Sequence, residues 1–225
     1  MSRSLERLRH LKDAQRLETE VFHITAIENV PSILENGLLP HSAAPQANTD
    51  ISNPAVQDIR SRKQVRLDDG RDLPLHDMVP FFFTASTPMH YEVIKKLGSP
   101  LCIVVIQLVN LCRFDLDIAF SNRNAATEEA EFLSDFANFD SFIPWHDFIP
   151  KYWNDKARRS AELLVAPKVS PQLFSRIEVA DETGLAYVNK ECTSRSRSNL
   201  ASLAPDHFFP DTVRGGHPSL GQAPR

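Results

Sequence analysis

The spacing of apolar positions changes several times along the chain, and each change marks an element. Leu5, Leu8, Leu11 and Leu17 lay an apolar stripe along a polar N-terminal helix within residues 1–20. Val21-Phe22-His23-Ile24-Thr25 reads as a short strand, in which alternation puts Val21, His23 and Thr25 on one face. Asn29 to Gly37 then predicts a short helix, with Asn29 suited to the N-cap, Pro31 to the first turn and Gly37 to the stop. Residues 40–53 are polar and aperiodic, a loop of the length that is either functional or disordered. Asn53-Pro54 opens a second helix, with Val56, Ile59 and Lys63 along one face and Arg60 about 100° round from Ile59.

Asp68-Asp69-Gly70 is a turn, and Phe81-Phe82-Phe83 predicts a strand covered on both faces, with Phe82 opposite its two neighbours. Pro88 starts a helix carrying Met89, Val93 and Leu97 on one side. Leu101 to Leu108 is almost uninterruptedly apolar, which predicts a central strand. Ile118-Ala119-Phe120 is a further short strand, Ser121 to Asn124 a polar turn, and Glu128 to Phe139 a helix with Phe132 and Phe136 inward. Arg158-Arg159-Ser160 is a basic turn feeding a strand from Ala161 to Val165, on which Glu162 and Leu164 share a face. Pro171 to Phe174 is a turn or short helix, Arg176 to Val179 the last expected strand, and Thr183 to Lys190 a terminal helix. Beyond Thr193 the pattern dissolves into Ser, Arg, Pro and Gly, which predicts a disordered tail over 193–225. The organisation expected is an N-terminal helix (1–20), one mixed α+β domain (21–192) and that tail.

Composition narrows the chemistry. The 225 residues are 42% apolar, enough for one cored domain. A net charge of −4 gives no global pull toward nucleic acid or an anionic membrane, so such a contact needs a local patch. No run approaches the ~20 apolar residues of a membrane span, and the charged N-terminus lacks an apolar signal core. Cys102, Cys112 and Cys192 are an odd set without C-x-x-C spacing, which fits reduced thiols in a cytoplasmic protein and not a disulfide frame or a zinc site. There is no Gly-rich phosphate loop, no H-E-x-x-H and no G-x-S-x-G.

Individual residues must therefore carry the function. A carboxylate at Glu162, on an apolar strand, is costly unless it meets water, a partner or a substrate. Its plain reading is a pair with Arg158 or Arg159 at a sheet edge. Arg60, Arg62, Lys63 and Arg66 form the densest basic group, either a solvated face or a grip on phosphates. Trp145, Phe148, Tyr152 and Trp153 among Lys151, Lys156, Arg158 and Arg159 suit stacking on exposed bases, and equally an ordinary core seam. A lone strand histidine such as His23 is in general structural.

Four blocks of the chain, in order and at similar spacing, resemble one family. They are Phe22-His23-Ile24-Thr25 through Leu34; Val56-Gln57-Asp58-Ile59-Arg60; Leu75-His76-Asp77-Met78-Val79-Pro80-Phe81-Phe82-Phe83 with Pro88-Met89; and Tyr152-Trp153-Asn154-Asp155 leading to Ala161-Glu162-Leu163-Leu164-Val165. From about residue 21 to 190 the chain is similar to the DarT family of DNA ADP-ribosyltransferase toxins. The resemblance implies an α+β ADP-ribosyltransferase-like fold, two packed sheets around a cleft that holds NAD. The implied reaction breaks the nicotinamide–ribose bond and joins ADP-ribose to a base, thymine in most of the family, in single-stranded DNA. It further implies NAD as substrate, no metal, a macrodomain antitoxin partner, and a monomeric cytoplasmic toxin or anti-phage effector.

Departure of nicotinamide leaves an oxocarbenium-like ribose, which a carboxylate can stabilise while also accepting a proton from the attacking base. By the resemblance Glu162 is that carboxylate, and Arg60 orients the NAD phosphate and assists the acceptor base. His23, Thr25, Gly37, Leu38 and Phe82 are then NAD-site residues, and Asn122, Arg123, Tyr152, Arg158 and Arg159 are DNA-contact candidates. Phe82 stands where the family commonly has Tyr, Ala85-Ser86-Thr87-Pro88 replaces Pro-Arg-Ser-Pro, and Asn122-Arg123-Asn124 departs from an Asp-Arg-His-type turn. These departures leave the acceptor base and its sequence context open. An RNA or protein acceptor, or an NAD-binding module without chemistry, are the competing readings; retention of both Arg60 and Glu162 argues against the last.

Overall fold

The computed structural model describes residues 3–97, 100–149, 155–197 and 200–209. The strands are β1 (Glu20–Ala26), β2 (Gln64–Arg66), β3 (Asp72–Pro74), β4 (Val79–Phe82), β5 (Leu101–Gln107), β6 (Asp117–Ser121), β7 (Phe132–Leu133), β8 (Glu162–Ala166), β9 (Arg176–Val179) and β10 (Ala201–Leu203). The helices are α1 (Arg3–Asp13), α2 (Val30–Asn36), α3 (Pro54–Ser61), α4 (Pro88–Leu97), α5 (Leu108–Cys112), α6 (Phe139–Phe142), α7 (Lys156–Arg159) and α8 (Glu182–Ser194). Eight strands run in the order β10-β9-β5-β1-β4-β8-β6-β7, and β2 and β3 form a separate hairpin.

The long ladder consists of two four-stranded halves. On one side β1 pairs with β5 from Glu20↔Gln107 to Ala26↔Leu101. On the other β4 pairs with β8 from Val79↔Val165 to Phe82↔Glu162. Among the described residues the halves are joined at a single pair, Phe22↔Phe82. The reason lies in Pro80. Its carbonyl faces β1, where it meets the His23 imidazole Nδ1 at 2.8 Å. A strand residue points its N–H and C=O to the same side, so the N–H that proline lacks is the one β1 would need. The ladder opens there, and His23 stands in the opening. The expected pair of sheets is thus two half-sheets diverging from one shared residue pair.

One face of both halves meets in a common core, with Val21, Val104 and Ile106 from the first half and Phe81, Leu163, Val165, Ile118 and Phe120 from the second. Helices α2, α5 and α8 close it with Val30, Ile33, Leu34, Leu108, Leu111 and Val188. On the opposite face Phe22, Ile24, Phe82, Ile103 and Val105 are covered by Val93 of α4 and by Phe208. Val65, Leu67, Leu75 and Met78 cover Ala119, Leu164 and Ala166. β5 lies inside the sheet with Leu101 to Ile106 buried, as its continuous apolar run requires. Cys102, Cys112 and Cys192 are buried free thiols, and burial pushes Cys102 and Cys112 up to about 12.

Three points bear on these expectations. First, α1 is part of the body, the packing role that its apolar stripe suits. Leu11 is fully buried, Leu8 packs on the core, and Arg7 donates to the Leu116 carbonyl at 2.8 Å; only Leu5 and Leu17 are exposed. Second, Glu128–Phe139 is not a helix. Asn122 and Glu131 exchange two backbone–side-chain and backbone bonds, Asn122 N to Glu131 O at 3.3 Å and Glu131 N to Asn122 Oδ1 at 3.2 Å, which seats β7 on the edge of β6. Phe136 is still buried, against Phe120. Third, part of the expected disordered tail is structured, over residues 194–197 and 200–209. β10 pairs in parallel with β9 from Ala201↔Ile177 to Leu203↔Val179, and Phe208 is 3% exposed. A ladder formed by backbone groups needs no apolar period, so composition concealed it. The rest of the expected tail, from residue 210, lies outside the described residues.

Candidate active site

Glu162 opens β8 beside Phe82 and is 2% exposed. Its partner is not Arg158 or Arg159. Arg60 Nη1 donates to both carboxylate oxygens, at 2.8 Å to Oε2 and 3.2 Å to Oε1. The Ala125 N–H adds a bond to Oε1 at 2.9 Å, and the Glu162 N–H reaches Ser121 Oγ at 3.0 Å. The β6–β7 connection is therefore folded onto the carboxylate, with Ser121 Oγ also donating to the Arg123 carbonyl at 2.6 Å.

Arg60 arrives from α3, which starts where Asn53 and Pro54 predict; Asn53 Oδ1 accepts from the Ala55 N–H at 2.9 Å. The inward face of that helix differs from the apolar stripe expected. Ile59 is 40% exposed and Arg60 is buried, because the ion pair with Glu162 overrides one aliphatic side chain. Two buried charges lose much hydration, and several charge-assisted bonds are needed to offset it. Here Arg60 and Ala125 supply them. The rest of the basic group is engaged in place: Arg62 pairs with Asp58, Arg66 with Asp72 at 2.8 Å, and Lys63 donates to the Thr127 carbonyl. Burial lowers the Lys63 pKa.

His23 sits in the opening between the half-sheets. Burial lowers its pKa, so the ring is neutral at pH 7, and its contact with the Pro80 carbonyl places the proton on Nδ1. Nε2 is then an acceptor. Thr25 Oγ1 accepts from Asn29 Nδ2 at 3.0 Å. The Asn29 amide does not cap α2. It clasps the backbone of Thr49, Nδ2 to the carbonyl at 2.9 Å and Oδ1 from the N–H at 2.8 Å, and so ties the 40–53 loop to β1. That clasp was missed by sequence reasoning, because Asn before Pro reads first as a cap.

Gly37 ends α2 at φ 85°, and a Cβ there would stand 2.3 Å from the Val169 carbonyl oxygen. Leu38 is 2% exposed, and its N–H and C=O both bond to Val169 at 2.9 Å. Leu38 is thus fixed to the Val169 backbone in both directions. Phe82 lies beside Phe22 in the second apolar cluster, with no hydroxyl to offer.

The DNA-contact candidates divide. Asn122 Nδ2 donates to Glu131 Oε2 at 2.7 Å, and Arg123 lies 3.9 Å from Glu129. Arg158 pairs with Asp147 at 2.7 Å, leaving its side chain 35% exposed. Arg159 is 5% exposed and donates to the carbonyls of Ser86 and Asp147, each at 2.8 Å, so it braces the segment before β8 where a strand contact was expected. Tyr152 and Trp153 lie outside the described residues. Trp145 and Phe148 belong to a core seam: Phe83 meets Trp145 edge-on at 5.3 Å and stacks with Phe148 at 5.8 Å. Among the described residues no group of three His, Cys, Asp or Glu side chains is placed to hold a metal ion.

Comparison with known proteins bears on this arrangement. The family model for DarT, the single-stranded-DNA thymidine ADP-ribosyltransferase, matches residues 22–209. A DNA ADP-ribosyl transferase of Thermus aquaticus is 28% identical over 209 residues, 89% of each chain. A transferase–glycohydrolase fusion protein of Thermosipho africanus is 30% identical over 201 residues, 84% of this chain and 49% of the fusion. Thermus sp. 2.9 DarT in complex with ADP-ribosylated single-stranded DNA superposes with a TM-score of 0.77 at 25% identity, over 85% of this chain and 97% of that one. The chain belongs to the DarT family of single-stranded-DNA thymidine ADP-ribosyltransferases.

Proposed function

We propose that this chain transfers ADP-ribose from NAD to thymidine in single-stranded DNA at the opening between its half-sheets, with Glu162 as the catalytic carboxylate. The observation that carries this reading is the buried Arg60–Glu162 pair, held by Ala125, with Glu162 on the strand next to β4, whose Pro80 carbonyl meets His23. Burying a charge pair is a poor way to gain stability, so its retention points to chemistry.

When the ribose–nicotinamide bond breaks, its electron pair passes to the pyridinium nitrogen and positive charge grows on the ribose. Glu162 faces that charge in a water-poor setting, where a carboxylate acts strongly. The new bond forms to thymine. The single ring N–H of a thymidine base must lose its proton as it attacks, and Glu162 accepts it. Arg60 aims the carboxylate and offers its remaining guanidinium N–H groups to a phosphate or to the acceptor base. His23 Nε2 and Thr25 hold NAD from the β1 side, and Phe82 packs against it without a hydrogen bond. Asn122 and Arg123 lie on the segment that carries Ala125, which supports a role for them on the DNA side.

The Thermosipho africanus relative joins a DNA ADP-ribosyl transferase to a DNA ADP-ribosyl glycohydrolase in one chain. That supports the further reading that this toxin works opposite an antitoxin, a macrodomain glycohydrolase, that removes the mark. The test is transfer of labelled ADP-ribose onto thymine-containing single-stranded DNA, with thymine-free DNA, RNA and protein as parallel acceptors. Label confined to thymine-containing DNA, and absent with Glu162→Ala, is the expected result. Label on RNA or protein alone would overturn the acceptor, and NAD binding without any label would leave only a binding module.

A further inference from the structure

A cavity of about 220 Å³ lies past the end of β4, lined by Phe22, Phe83, Thr84, Ser86, Phe148, Ile149 and His207 among its walls. None of the NAD-site candidates lines it. It is nonetheless tied to the catalytic strand. Phe22 pairs with Phe82, and Phe82 pairs with Glu162. Arg159, just before β8, holds the Ser86 carbonyl in the cavity wall.

Its chemistry is that of a base pocket. The rings of Phe83 and Phe148 are stacked at 5.8 Å, and Phe22 meets His207 edge-on at the same separation. Ile149 is 84% exposed at the rim, an apolar side chain turned to solvent beside an open apolar cavity. Thr84 accepts from the Ser86 N–H at 3.3 Å, which leaves its hydroxyl proton free to donate. His207 Nδ1 is held at 2.6 Å by the buried Glu178 carboxylate, which Arg176 also engages at 2.7 Å. Nε2 of His207 has no partner among the described residues, and the bond to Glu178 raises the ring's pKa, which favours the protonated form in which Nε2 is a donor. A cavity of this volume takes one ring system and not a dinucleotide, since pockets for drug-sized ligands run from ~300 Å³ upward.

We propose that this cavity is a second nucleotide subsite, which receives a base of the single strand next to the modified thymidine and sets the sequence context of the reaction. The inference rests on the assignment of single-stranded DNA as acceptor. Aromatic walls and Ile149 supply stacking, which tolerates any base. Thr84 and His207 supply two donors, which favour a base edge carrying carbonyl acceptors and disfavour the adenine edges that set an N6 donor beside each ring-nitrogen acceptor.

The experiment uses the full chain, NAD and a single-stranded DNA pool with one thymine among randomised neighbours, read by sequencing of the modified products. Wild type is expected to show a bias against adenine at one neighbouring position. Ile149→Ser and Thr84→Val, neither of which removes a buried group, are expected to weaken that bias and to raise KM for DNA about tenfold, with KM for NAD unchanged. His207→Gln keeps a polar edge without the charge and is expected to change which base is preferred. If His207→Gln fails to fold, the first two variants decide. An unchanged neighbour profile and DNA KM in both would overturn the subsite, as would a rise in KM for NAD, which would make the cavity part of the NAD site. Absence of any label on DNA from wild type would instead remove the acceptor assignment, and the subsite with it.

Discussion

Arg60 and Glu162 are 102 positions apart and meet through one guanidinium nitrogen that bonds both carboxylate oxygens, with both side chains under 10% exposed. The pair welds α3, and the loop before it, to the strand on which the proposed chemistry depends. Removing one partner strands the other charge in the interior. Arg60→Ala is expected to lower stability by about 3–5 kcal/mol and to abolish transfer. Glu162→Gln keeps shape and one acceptor, so it is expected to fold while losing transfer by at least about 100-fold. Thermal melts beside label transfer measure both; an active, folded Glu162→Gln enzyme would refute the assigned role.

The Asn29 clasp on Thr49 predicts a separation of binding from chemistry. Asn29→Ala frees the 40–53 loop from β1 and leaves the Thr49 backbone groups and Thr25 without their partner. The expected result is a several-fold rise in KM for NAD with kcat little changed, and a stability loss of about 1–3 kcal/mol. Steady-state kinetics at saturating DNA would show it, and a fall in kcat with KM unchanged would place Asn29 in the chemical step.

His207 and Glu178 predict a stability optimum in pH. The hydrogen bond that His207 donates to Glu178 raises the His207 pKa above the ordinary 6.5, in spite of burial. The stability this gives is complete below 6.5 and is lost as pH rises through the raised value. Burial pushes Glu178 up, but His207 and Arg176 together bring its pKa below the ordinary 4.5. Its share is present above 4.5 and is lost as pH falls through the lowered value. Melting temperature is therefore expected to be highest between about pH 4.5 and 6.5 from this pair, and His207→Gln should flatten the alkaline slope. A variant with the same slope would assign it to other groups.

β10 and Phe208 make the segment after α8 structural. A chain ending at residue 197 loses the parallel pairing with β9 and the side chain that covers Phe22 and Val105. It is expected to melt well below the full chain, and Phe208→Ala alone to lower stability by about 3–5 kcal/mol. Equal melting temperatures would show that the segment only rests on the sheet.

Much of this protein was legible locally. β1, β4 and β5 follow from runs of apolar and β-branched residues, and Asn53-Pro54 and Gly37 mark helix ends through their own backbone preferences. Glu162 could be singled out because one charge on an apolar strand is conspicuous by itself. Such features depend on residues within a few positions of one another, where period and capping act. What the tertiary structure decided depends on distant partners. Arg60 turns inward only because Glu162 waits there; Arg159 is buried because the Ser86 and Asp147 carbonyls need donors; β7 and β10 form because an edge offers unpaired backbone groups. Backbone pairing and long-range charge compensation leave no period in the chain, so they emerge only when the halves of the sheet come together.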